Sequence, residues 1–340
     1  MAIKIGINGF GRIGRQVYKA IRERYPEEID VVAINDSGRI DIRKHLLKYE
    51  PPRGRFPGDR LAPGEDFTAR DGKVKILAER DPSRLPWRAL GVEIVVESTG
   101  LFRRRDKAQM HLDAGAKKVI ITAPGKGEDL TIVLGVNNEM YDSKRHHILS
   151  LGSCMTNVLA PVAKVLFDKF GIEQGVLYSY TNSQCLLDLE AEDRCDDHVG
   201  TITAVPTRTG MAKTVGVVIP ELRGKFTGMA FRVPTPTISV IDFTIVLSRR
   251  APVEEINAAM KEYAEGPMKG ILNYSEKPLV SRELKGNAHS SIFSASDTLV
   301  IGGNMAKVAA WYDNEWGYAM RAADLIHFLA AKNKTLAAAA

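Results

Sequence analysis

Cysteine is scarce in this chain: Cys154, Cys185 and Cys195 are the three in 340 residues. Three thiols make no disulfide framework, which argues against a small secreted scaffold and fits a reducing compartment. Cys185 and Cys195 read as either two surface thiols or a redox pair, the former being the commoner case. Long apolar runs are also missing. No uninterrupted segment reaches the length of a membrane span, and the first residues pass into Ile3-Lys4-Ile5-Gly6-Ile7 without a signal-peptide pattern. The expectation is a cytoplasmic protein with no membrane partner. Aromatic residues make up only 7%, and none interleaves with the single tight basic run, Arg103-Arg104-Arg105. The net charge of +6 therefore does not build a nucleic-acid surface. That run reads as a solvated helix start, and a modest positive excess suits small anionic ligands equally well.

What is present is the balance of a soluble globular protein, with 44% hydrophobic and 26% charged residues. A chain of 340 residues exceeds one ordinary domain and is long enough for two, each with its own core.

Residues 3–8 read as a strand and run at once into Gly9-Phe10-Gly11-Arg12-Ile13-Gly14, after which Val17 and Ile21 recur at helical spacing. Strand, Gly-x-Gly-x-x-Gly and helix in that order form the dinucleotide fingerprint. The glycines allow a tight turn, close approach of backbone to a pyrophosphate, and helix packing. A second apolar strand, 30–35, ends at Asp36, where an acid grips ribose hydroxyls. The bland alternative is a turn aspartate. Asp36 repels a 2′-phosphate, whereas Ser37 and Arg39 just beyond it suit one, so NAD or NADP stays open. Continuous apolar strands at 92–98 and 116–122, with a helix at 106–114, argue for a doubly wound α/β sheet. Thr99-Gly100 and Ala123-Pro124-Gly125 follow strand ends, where such sheets place ligand contacts.

Cys154 lies in Ser153-Cys154-Met155-Thr156-Asn157, between the strand-like residues 147–151 and a helical pattern of Val158, Leu159, Val162, Leu166 and Phe167. A thiol in the first turn of a helix meets N–H groups and a dipole that favour its anion. The functional reading is a nucleophile of lowered pKa. The bland one is a small buried cysteine. Beyond it, 175–180, 228–233, 238–247 and 307–312 read as strands with a helix at 253–265, an α+β domain with a mixed or antiparallel sheet. A final helical pattern covers 316–330.

These residues carry a whole-chain resemblance to the phosphorylating glyceraldehyde-3-phosphate dehydrogenases. INGFGRIGR, HLLKYE, ESTG, AGAKKVIITAP, GKFTGMAFRVPTP and WYDNEWGY are the matching segments. The resemblance implies a Rossmann domain over 1–152 completed by a C-terminal helix at 316–335, a catalytic α+β domain over 153–315, and a homotetramer. It implies oxidation of an aldehyde by NAD or NADP through a Cys154 thioester, with inorganic phosphate as acceptor. Cofactor contacts are implied for Gly9, Phe10, Gly11, Arg12, Ile13, Gly14, Asp36, Arg80, Ser98, Thr99, Thr122, Asn314 and Tyr318. Contacts to substrate or phosphate are implied for Ser153, Thr181, Thr209, Gly210 and Arg232. No metal is implied.

The departures from the family pattern are as specific as the matches. Tyr178-Ser179-Tyr180-Thr181 stands where the family has His-x-Tyr-Thr, which puts Tyr178 at the position of the catalytic histidine. A tyrosine of ordinary pKa near ~10 does not stabilise a thiolate as an imidazolium does. Met155 replaces a hydroxyl of the attacking-phosphate site. Arg194-Cys195-Asp196-Asp197-His198-Val199-Gly200 replaces an arginine-rich run, and Ser183 and Glu190 also depart. Three readings follow: a divergent dehydrogenase using another aldehyde or water, with His198 or Glu190 as base; a cofactor-binding homologue acting as sensor or scaffold; or ordinary activity at a low level. The expectation is a dehydrogenase with weak or altered phosphorylating chemistry.

Overall fold

The computed structural model describes residues 2–38, 46–47, 74–182, 204–207, 209–235 and 237–338, with four two-residue strands between 49 and 73. Arg39, Ser183, Cys185, Glu190, Cys195 and the 194–200 segment with His198, all singled out in the sequence, lie outside the described residues. The chain divides into two compact units. The first comprises Met1–Ile132, Glu139–Gly152 and Ala319–Ala340, and the second Val133–Asn138 and Ser153–Tyr318. Residues 133–138, read from sequence as part of the first domain, group with the second unit.

In the first unit, strands β1 (Ile3–Asn8), β2 (Ile29–Asn35), β3 (Lys75–Leu77), β4 (Ile94–Glu97), β5 (Lys118–Ile121), β6 (Leu130–Thr131) and β7 (Ile148–Ser150) form one sheet. Its order is β6-β7-β5-β4-β1-β2-β3 and every pairing is parallel. Strands β4 and β5 are buried throughout, which is why they read as unbroken apolar runs. The chain order reverses direction between β1 and β4, so a crevice opens at their C-terminal ends, after Asn8 and Glu97. Helices α1 (Arg12–Arg24) and α2 (Arg105–Asp113) follow β1 and β4.

The second unit begins with α3 (Cys154–Phe170). Its sheet holds β8 (Ile172–Asn182), β9 (Val205–Thr207), β10 (Phe226–Val233), β11 (Ser239–Leu247), β12 (Leu272–Ser275), β13 (Ser291–Ile301) and β14 (Met305–Tyr312), with α4 (Met211–Val218) and α5 (Val253–Glu265) between strands. The order is β9-β10-β8-β11-β14-β13-β12, with β8–β10 and β12–β13 parallel and the others antiparallel. Strand β11 alternates perfectly, burying Ser239, Ile241, Phe243, Ile245 and Leu247. That face, with Leu177, Val308 and Ala310, packs in one core with Val158, Leu159, Val162 and Leu166 of α3. Helix α6 (Trp316–Ala338) ends the described chain. Among the described residues no helix is long and apolar enough to cross a membrane.

Candidate active site

In the first unit the turn after β1 has the geometry its glycines foretell. Gly9 sits at φ +91°, a left-handed conformation that disfavours a side chain, and a Cβ on Gly14 would fall 2.1 Å from the Gly9 carbonyl oxygen. At Gly11 a Cβ would meet nothing within 4 Å, so open space lies above this residue. Gly11 is the N-cap of α1, no side chain caps that helix, and no acid lies in its first turn. This arrangement suits a phosphate. The residues present therefore fit a dinucleotide.

Asp36, at the end of β2, accepts from Phe10 N at 2.6 Å and from Gly38 N at 2.8 Å. Arg12 and Ile13 open α1, and Arg80 is exposed in the bend after β3. Ser98 Oγ donates to the Gly9 carbonyl at 2.7 Å, Thr99 donates its N–H and hydroxyl to Glu97, and Thr122 Oγ1 donates to Glu97 O at 3.1 Å. These residues thus gather at the C-terminal ends of β1, β2, β4 and β5. Glu97, which the sequence reading did not single out, ties several of them together.

In the second unit a capping box starts α3: Thr156 N donates to Ser153 Oγ at 3.1 Å, and the Thr156 side chain answers the Ser153 backbone. Cys154 is therefore the first helical residue. The residue is half-buried and packs against the core of this unit. Burial pushes the thiol up to about 11. The N–H groups of Met155 and Cys154 and the charge of Arg232 pull it down, and Glu315 pushes it up. The sequence expectation of a lowered pKa is thereby corrected, because desolvation of the thiolate outweighs the helix start.

Beside the thiol the inner face of the sheet turns polar. Ser179 Oγ and Tyr312 OH are 3.1 Å apart, and Ser239 Oγ donates to Thr181 Oγ1 at 2.8 Å and to Asn314 Oδ1 at 3.4 Å. Tyr312 and Tyr318 are both buried, which raises their pKa values, and a Cys154 thiolate would raise them further. Ser179, Ser239 and Tyr312 were not singled out in the sequence. Alternation with Leu177 was the signal, since it turns 179 and 181 inward together. Ile238, just before Ser239, holds φ at +68°, a strained conformation for a β-branched residue that directs Ser239 into this cluster.

Tyr178, at the position of the family's histidine, lies on the other face of the same strand. On β8 it takes the outward phase, 38% exposed, with Tyr180 likewise 38% and Ser179 fully buried between them. Its ring centroid lies 6.3 Å from that of Phe231, on the face away from the core that α3 joins. Tyr178 is thus not brought to the thiol. The one described histidine of this unit, His289, has its ring nitrogen 2.8 Å from Asn287 Oδ1. Arg232 donates to Asn182 O at 3.1 Å. Gly210 is the N-cap of α4, and Thr209 Oγ1 donates to Met155 Sδ at 3.6 Å.

Comparison with known proteins agrees with this pairing of a nucleotide turn and a thiol at a helix start. Residues 3–105 match the model of the glyceraldehyde 3-phosphate dehydrogenase NAD binding domain, and residues 153–314 match that of the family's C-terminal domain. The chain is 50% identical over 335 residues to glyceraldehyde-3-phosphate dehydrogenase of Geobacillus stearothermophilus, covering 98% of this chain and 99% of that protein. It is 49% identical over 335 residues to glyceraldehyde-3-phosphate dehydrogenase 1 of Bacillus subtilis (strain 168), with the same coverage. With the Mycolicibacterium smegmatis protein of that name the identity is 50% over 335 residues, covering 96% of this chain and 98% of the relative. With both halves matched and full-length relatives at this identity, the chain belongs to the glyceraldehyde 3-phosphate dehydrogenase family.

Proposed function

We propose that this protein oxidises an aldehyde with NAD or NADP, carrying the acyl group on Cys154. The observation that carries the reading is the thiol at the capped start of α3, accepting N–H groups and facing the polar cluster of Ser179, Thr181, Ser239 and Tyr312. The sulfur gives up its proton and bonds to the carbonyl carbon, and the former carbonyl oxygen becomes an alkoxide. When bound, the nicotinamide supplies the acceptor for the hydride leaving that carbon. The product is a thioester on Cys154. An acceptor oxygen then attacks the acyl carbon and the thiolate leaves.

The residues of this chain set the order of difficulty. Helix N–H groups and Arg232 favour the charged sulfur, but burial outweighs them, so the resting thiol is protonated at neutral pH. With Tyr178 facing outward and Met155 at the Thr209 hydroxyl, the thiol lacks a tyrosine-borne base and the phosphate acceptor lacks a hydroxyl donor at position 155. Turnover with phosphate is accordingly weak. The alternative reading is a cofactor-binding homologue acting as a sensor or scaffold.

Gly9, Phe10, Gly11, Arg12, Ile13, Gly14, Asp36, Arg80, Ser98, Thr99 and Thr122 are proposed to line the dinucleotide, and Asn314 and Tyr318 are proposed as further cofactor contacts on the family resemblance alone. Ser153, Thr181, Thr209, Gly210 and Arg232 are proposed for substrate and phosphate. We further read the protein as a cytoplasmic homotetramer, on the strength of the family alone. The test is reduced-cofactor formation from a series of small aldehydes, phosphorylated and not, with and without phosphate, alongside Cys154→Ser. Cysteine-dependent turnover supports the enzyme reading, and cofactor binding without any turnover replaces it with the scaffold reading.

A further inference from the structure

A chain of buried polar groups lies beneath the nucleotide turn and takes no part in the chemistry above. The indole Nε1 of Trp87, itself fully buried, donates to Nδ1 of His111 at 3.1 Å. With Nδ1 accepting, the ring proton is on Nε2, and Nε2 faces Oε2 of Glu97 at 3.1 Å. The same Oε2 accepts from Asn8 Nδ2 at 2.6 Å. Oε1 accepts the N–H of Thr99 at 2.8 Å and its hydroxyl. Four donors thus converge on a carboxylate that is 1% exposed, beside a histidine at 0%. From Asn8 the chain continues: its Oδ1 accepts from Asn35 Nδ2 at 2.7 Å, and the Asn35 amide exchanges two 2.8 Å bonds with the backbone of Glu79.

Stability alone is a poor account of such a network, since apolar side chains of the same shape fill a core at least as well. Its placement gives a better one. Asn8 immediately precedes Gly9. Asn35 immediately precedes Asp36, whose carboxylate accepts from Phe10 N. Thr99 lies so close to the turn that a Cβ on Gly9 would fall 2.7 Å from its nitrogen. Three strand ends at the reversal of the sheet are thereby locked to one carboxylate, whose own orientation is set by His111 and, through it, by Trp87.

We propose that Glu97 and His111 are positioning residues for the dinucleotide turn, with Trp87 holding the histidine in its Nε2–H tautomer. The proposal rests on the reading of residues 9–14 as the cofactor site. Neither side chain touches the cofactor; both act through Asn8 and Thr99. Their loss should loosen the turn and weaken cofactor binding, while the thiol chemistry at saturating cofactor proceeds as before.

The test uses the full-length protein and measures NAD and NADP affinity by calorimetry, together with cofactor KM and kcat on whichever aldehyde is turned over. Glu97→Gln turns an acceptor into a donor among donors, and is expected to weaken cofactor binding about tenfold with kcat within about twofold. His111→Leu should match it, whereas His111→Gln, which keeps a donor toward Glu97, should recover most of the affinity. If Glu97→Gln fails to fold, Trp87→Phe, close in shape but without the N–H, should still weaken binding by roughly threefold. Unchanged affinity in Trp87→Phe and His111→Leu overturns the proposal, as does equal affinity of His111→Gln and His111→Leu. If the unaltered protein binds neither cofactor, the reading of the turn itself fails, and the proposal with it.

Discussion

The hydroxyl of Thr209 points at the thioether of Met155, with Oγ1 3.6 Å from Sδ. A thioether accepts weakly and donates nothing, and the same Thr209 oxygen also accepts Met211 N at 3.2 Å. The proposed phosphate site thus has no hydroxyl at position 155. Met155→Thr is therefore expected to lower the KM for phosphate by roughly tenfold, with little change in any phosphate-independent rate. Steady-state kinetics with phosphate varied would show it, and an unchanged KM would mean that the acceptor binds elsewhere.

Tyr178→His should do almost nothing to the thiol. An imidazole at that position stands on the outward face of β8 beside Phe231, not on the face that carries Ser179 and Thr181. Alkylation rate against pH should be superimposable on that of the unaltered protein. A clear drop in the apparent thiol pKa would show that this strand can present residue 178 inward.

The thiol itself carries a pH signature. Its folded pKa is raised to about 11 from an ordinary 9.0, chiefly by burial. The unfolded chain therefore releases the proton first. The stabilisation is full below the unfolded value and is lost as pH rises through the folded one. Denaturation midpoints should fall between pH 9 and pH 11 more steeply in the unaltered protein than in Cys154→Ser, and alkylation should keep accelerating past pH 9. A plateau near neutrality would reveal an activating group close to the sulfur.

Asp36→Ala removes the acceptor for both Phe10 N and Gly38 N, and with it the acid proposed to repel a 2′-phosphate. The expected result is weaker NAD binding by about tenfold and a preference ratio shifted towards NADP. Calorimetry with both cofactors measures this, and an unchanged ratio would show that Asp36 does not face the ribose.

For assembly, light scattering should return a mass near four copies of the 37.4 kDa chain. A mass near a single chain refutes the tetramer.

The parts legible in the sequence were those whose causes are local. Gly9, Gly11 and Gly14 announce a turn because backbone geometry demands them, and the helix that Cys154 opens is announced by the spacing of Val158, Leu159, Val162 and Leu166, a period that neighbouring residues carry by themselves. Strand β13, by contrast, went unread, since Ser294-Ala295-Ser296-Asp297 interrupts its apolar pattern where the ladder shifts register. Helix α4 was likewise unread, as eight residues are too few for a clear period. The facing of Tyr178 is not contained in its alignment with the family's histidine, because alignment ranks residues by order whereas strand phase is set by Leu177 packing into the core. The thiol pKa depends on what encloses the sulfur, and no local pattern contains that.

One tie bears on how the molecule is made. Asp324 of α6 bonds Tyr25 Oη at 2.7 Å and Arg24 Nη1 at 3.0 Å, partners 299 and 300 residues earlier in the chain. The first unit is therefore a discontinuous body whose opening strands and helix emerge from the ribosome long before the helix that completes them. Ala319, Ala322, Ala323, Ile326 and Leu329 are all fully buried in the folded protein, so the surface they cover stays bare until this helix has been made. Closing so wide a loop is slow, and the interval exposes apolar surface to other chains. A nascent chain stopped before residue 319 should accordingly be a chaperone client and not a half-molecule with a working nucleotide fold.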